Sequence, residues 1–127
     1  VRRQRQMCIE TAATVQSIGA NAIDSKEPIL VLFDETATAP LQQIAVIQKF
    51  EQPIASLSLV AGSTITIDRQ TYTVAFAGGL VEANLTSIGH ATSYFKPVPA
   101  KPMENGIYLT PNQLPTIKVG SVITYQA

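Results

Sequence analysis

The stretch "STITIDRQTYTVAFAGG", residues 63 to 79, constrains the fold more than any other part of the chain. Polar and apolar side chains alternate through Thr64, Ile65, Thr66 and Ile67, and again through Tyr72, Val74 and Phe76. Successive side chains of extended backbone point to opposite sides, so a period of two marks a strand with one buried face. The short insert "DRQ" between the two runs makes them a hairpin.

Other segments extend the strand reading. "CIETAATVQSIG" reads as a long, mildly apolar strand that Gly19 ends. "PILVLFDE" is a continuous apolar run after Pro28 and predicts a strand buried on both faces. "TATAP" turns the chain. "LQQIAVIQKFEQP" then predicts a strand with Ile44, Val46, Gln48 and Phe50 on one face, Ala45, Ile47, Lys49 and Glu51 on the other, and Pro53 closing it. "LVEANLTSIG" changes period: Val81, Leu85 and Ile88 share a helical face and Gly89 occupies the C-terminal cap. "HATSYF" resumes strand character, with Ala91, Ser93 and Phe95 opposing His90, Thr92 and Tyr94. The Pro-rich "KPVPAKPMENG" predicts a surface loop, and "IYLT" and "GSVITYQA" predict two closing strands. These elements give an all-β chain of about seven or eight short strands with one short helix. A closed or nearly closed barrel, or two packed sheets, would cover the edges of so many strands, with the helix at one end.

Length and charge bound the function. A chain of 127 residues predicts a single domain, here residues 8–127, preceded by a basic arm over residues 1–7 that is expected to be solvated. Nine Lys and Arg balance nine Asp and Glu, which gives no electrostatic case for nucleic acid or an anionic membrane. The lone Cys8 excludes an internal disulfide and, together with a lone histidine, a His/Cys structural zinc site. With no apolar run long enough to span a bilayer and no signal-peptide pattern, the expected location is the cytoplasm. The formal glycosylation acceptor "NLT" at 84 to 86 is then without consequence.

Most catalytic motifs are missing: no GxSxG, P-loop, HExxH or GxGxxG is present. The acidic residues Glu10, Asp24, Glu27, Asp34, Glu35, Glu51, Asp68, Glu82 and Glu104 show no spacing that suggests a catalytic pair. Cys8 has no neighbour in sequence that would lower its pKa, and reads as a small apolar side chain. His90, the single histidine, follows the helix-ending Gly89. Two readings stand: its ring caps the free carbonyls of the last helical turn, or its nitrogen accepts protons or a phosphoryl group.

The stretches "SIGANAID", "GLVEANLTSIGHATSYF" and "IKVGSVITYQ", in this order, resemble the glucitol/sorbitol-specific enzyme IIA component of the bacterial phosphotransferase system. The similarity covers about residues 8 to 126, and residues 81–95 are its most specific part. It implies an all-β barrel that relays a phosphoryl group from the histidine-containing phosphocarrier protein to a cysteine of a IIB domain, with no metal or organic cofactor. The IIB/IIC permease components are the partners so implied, in a protein that is not itself embedded in the membrane. In the family the phosphorylated histidine lies at the end of the third strand, in a stretch of the form Phe-Ile-His-Cys-His. The corresponding stretch here is "VIQKF", so the acceptor position falls on Gln48 and a second family histidine on Phe50. A carboxamide nitrogen has its lone pair delocalised into the carbonyl and does not take up phosphate reversibly. His90 matches a Gly-His pair of the family, which makes it the candidate to support the acceptor or to replace it. Two functions follow as expectations, a working phosphocarrier or a non-phosphorylatable binding or regulatory module. A small ligand in the barrel mouth has no residue pointing to it, and pairing of strand edges would allow a homodimer.

Overall fold

In the computed structural model, residues 10–23, 26, 28–51 and 59–126 are described. The basic arm, Cys8 and Pro53, to which roles were given above, lie outside them. Eight strands form one closed barrel: β1 (Glu10–Ile18), β2 (Ile29–Phe33), β3 (Val46–Phe50), β4 (Thr64–Ile67), β5 (Gln70–Ala77), β6 (Ala91–Tyr94), β7 (Gly106–Thr110) and β8 (Val122–Gln126). Around the barrel they follow the order β1-β3-β2-β6-β7-β5-β4-β8, and β8 pairs with β1 to close it. β2 with β3 and β6 with β7 run parallel; the other neighbours run antiparallel. Among the described residues each strand therefore has a hydrogen-bonded neighbour on each side.

The all-β barrel expected from the alternation is what forms. The hairpin β4–β5 turns through Asp68 and Arg69, with Ile65 paired to Tyr72 and both side chains buried. In β6, Ala91 and Ser93 are buried, as is Phe95 just beyond it, while His90, Thr92 and Tyr94 lie half-buried on the opposite side.

Two elements differ from expectation. β2 is not buried on both faces: Leu30 and Leu32 point inward, and Ile29, Val31 and Phe33 are half-buried. A barrel wall has one dry side, whereas the doubly buried apolar strand belongs to sheets covered by helices on both faces. Residues Ala39–Ile44, expected as a turn and the start of the third strand, form a second short helix, α1. Pro40 lies in its first turn, where a missing N–H costs nothing, and Ile44 faces solvent instead of continuing the inward row of β3. The second helix, α2 (Val81–Ile88), buries Val81 and Leu85 in the barrel core and leaves Ile88, the third member of its expected apolar face, exposed. No helix among the described residues is long and apolar enough to cross a membrane.

Candidate functional site around Gln48 and His90

Gln48 continues the inward alternation of β3. Val46 precedes it and Phe50 follows, both packed on the core, so the carboxamide is placed inside the barrel wall and is 0% exposed. A buried amide must find partners for its donor and its acceptor, because an orphaned polar group in the interior costs about 1–3 kcal/mol. Gln48 finds both. Its Nε2 donates to the Gly89 carbonyl at 3.0 Å, and its Oε1 accepts from the Tyr125 hydroxyl at 2.6 Å. A carbonyl only accepts, so the amide orientation is fixed by Gly89. Tyr125 is fully buried on β8, and that burial pushes its hydroxyl far above its ordinary value, with the bond to Gln48 pulling the other way; it stays protonated and donates.

His90 lies across the wall from this network. α2 ends at Gly89, whose φ of 63° is left-handed, the conformation a glycine tolerates best. The Gly89 N–H donates to the Leu85 carbonyl and the His90 N–H to the Asn84 carbonyl, each at 3.1 Å, which caps the last turn with backbone. The imidazole is thus not the capping group: Nδ1 lies 3.0 Å from the Leu32 carbonyl at the end of β2. Since that carbonyl can only accept, Nδ1 carries the proton, and in the neutral ring Nε2 keeps its lone pair. The ring stacks on Phe33, with centroids 4.2 Å apart and planes inclined by 22°. The strand end beneath is tied to the helix end by the Asp34 N–H, which donates to Ile88 O at 3.0 Å.

The structure brings the two sequence-derived candidates together through one residue, Gly89, yet keeps them on opposite sides of the wall. Gln48 looks inward with no surface, while His90 is half-buried on the outside. Phe50, where the sequence resemblance puts a second histidine, packs half-buried against the core with its ring centroid 5.8 Å from that of Tyr125. Sequence reasoning missed Tyr125, Leu32 and Phe33 as parts of this site. The inward parity of Tyr125 in "VITYQ" was the one available signal for the first. Leu32 contributes a backbone atom and leaves no side-chain signature.

Comparison with known proteins agrees with this architecture. The family model described as "PTS system glucitol/sorbitol-specific IIA component" matches residues 10–124. A solved structure, the crystal structure of the PTS system IIA component from Enterococcus faecalis V583, is similar at a TM-score of 0.87 and 41% identity, over 91% of this chain and 99% of that one. A search of curated proteins returned no match. With that match spanning the barrel from β1 into β8, the chain belongs to the glucitol/sorbitol-specific IIA component family of the phosphotransferase system.

Proposed function

We propose that this protein is a IIA-type module of a glucitol/sorbitol phosphotransferase system that binds its partner components without carrying phosphate on β3. The partners are the histidine-containing phosphocarrier protein and the IIB/IIC permease components. The observation that supports this reading most is the state of Gln48. It stands at the position that the family resemblance gives to the acceptor histidine, it has no exposed surface, and both ends of its carboxamide are hydrogen-bonded. Phosphoryl transfer needs a nucleophile lone pair in line with the leaving oxygen and donors around the migrating group. An amide nitrogen that donates to Gly89 from inside the wall offers neither.

A second reading, a relay through His90, has one observation in its favour: the Nδ1–H···Leu32 bond leaves Nε2 as the nucleophilic nitrogen of a half-buried ring. Its surroundings oppose it. The ring follows the C-terminal, partly negative end of α2, and the Gly89 and His90 N–H groups already donate to Leu85 and Asn84 respectively. A phosphoryl anion there would meet carbonyls where it needs donors.

Titration of the protein against the phosphocarrier protein and against a IIB domain tests the first reading. Binding to at least one of them with a dissociation constant of micromolar order, about −8 kcal/mol, is expected. Lack of binding to every partner would remove the module reading. An acid-labile phosphate on the protein that His90→Ala abolishes would establish the relay through His90 in its place.

A further inference from the structure

We infer that Gln48 is the positioning residue for His90: from inside the barrel it orients the peptide that aims the imidazole outward. The inference rests on the reading that position 48 has no phosphoryl chemistry of its own. The peptide unit between Gly89 and His90 is planar, so fixing its two ends fixes the plane. Its carbonyl oxygen accepts from Gln48 Nε2 at 3.0 Å, and its N–H donates to Asn84 O at 3.1 Å. That plane sets the direction in which His90 leaves the backbone, and hence whether its ring reaches the Leu32 carbonyl and the Phe33 face.

Gly89, with φ of 63° and no Cβ, would not by itself hold one orientation; the bond from Gln48 supplies the restraint. Gln48 is in turn held by Tyr125 at 2.6 Å, so the brace runs from β8 through β3 to the joint between α2 and β6. Both bonds of Gln48 lie in the dry interior, where hydrogen bonds are stronger than at the surface. A glutamine suits this task because, like a neutral imidazole, it carries a donor nitrogen and a separate acceptor atom on the same side chain. It keeps the hydrogen bonding of such a ring and loses its nucleophilicity. What the brace sets is the tautomer of the ring, with Nε2 left as the acceptor nitrogen.

The chain has one histidine, so its ring nitrogens give unambiguous ¹⁵N signals. We expect the full-length protein at a pH where the ring is neutral to show the proton on Nδ1, the minority tautomer of a free imidazole. Gln48→Met, similar in shape but without hydrogen bonds, should move the ring towards the free-imidazole mixture. Tyr125→Phe removes the far bond, keeps the one to Gly89, and should shift the ring less than Gln48→Met does. A wild-type ring protonated on Nε2 would overturn the inference, and needs no variant to fold. So would a Gln48→Met protein that keeps the wild-type tautomer, or a Tyr125→Phe protein that shifts as far as Gln48→Met. None of these readouts involves phosphate or a partner, so failure here is separate from failure of the module reading.

Discussion

Stability of the barrel should depend on position 48 as much as any function does. Replacing Gln48 by Leu leaves the Gly89 carbonyl and the Tyr125 hydroxyl without partners in the interior, at about 1–3 kcal/mol for each orphaned group. Urea unfolding of Gln48→Leu should therefore show a midpoint well below wild type at unchanged slope, and a change of under about 0.5 kcal/mol would mean that the amide is not paired as described. A glutamine in the inward row of β3 was readable from the alternation. Its partners were not, because Gly89 and Tyr125 lie 41 and 77 residues away, and only closure of the barrel brings them into reach. His90 was singled out as the lone imidazole, but the sequence offered capping of its own helix as the simplest structural role. Backbone N–H groups fill that role instead, and the ring turns to a carbonyl on β2, an atom that every residue type supplies.

Among the elements, the α2–β6 joint and the β4–β5 hairpin make separate predictions. A Cβ at position 89 would sit 2.7 Å from the Asp34 Cβ and in a left-handed conformation, so Gly89→Ala should cost more than about 1 kcal/mol in thermal or urea unfolding. A cost near zero would mean that the joint is not packed against the end of β2. At the hairpin, Asp68 accepts from the Ser121 hydroxyl at 2.7 Å and from the Val122 N–H at 3.1 Å, and Gln70 makes paired bonds to the Thr116 backbone. The Ser121 bond, then the Val122 bond and the nearby Lys118, hold the Asp68 carboxyl below its ordinary value despite slight desolvation. A depressed carboxylate stabilises the fold above its unfolded value, about 3.9, and that contribution disappears as pH falls through the folded value. Its exposure keeps the effect small. Asp68→Asn should be less stable than wild type at neutral pH, with the gap closing below about pH 4; a gap that widens in acid would contradict the clamp. The hairpin itself was plain in the sequence because its alternation is local. Helix α1 was hidden because a proline, two glutamines and three apolar residues fit either a turn into a strand or a short helix, and contact with the neighbouring elements decides.

For the whole molecule, strand alternation carried the fold class, while the number of strands needing neighbours left a closed or nearly closed barrel and two packed sheets both open, and the structure is the closed barrel. The two parallel pairs, β2 with β3 and β6 with β7, could not be read, since alternation gives the parity of a strand but neither its direction nor its neighbour. The site was half legible for the same reason: positions 48 and 90 stood out as residue types, while their relation across the barrel wall depends on the wall itself. The chain keeps the scaffold of the IIA family, and on the proposed reading position 48 holds a brace where a carrier of phosphate would stand. The most direct test is the intact mass of the protein after incubation with enzyme I, the phosphocarrier protein and an excess of phosphoenolpyruvate, alongside a IIA protein that carries the family histidine. The account predicts a gain of one phosphate on the control and none on this protein. An acid-labile phosphate mapped to any peptide of this chain would contradict it.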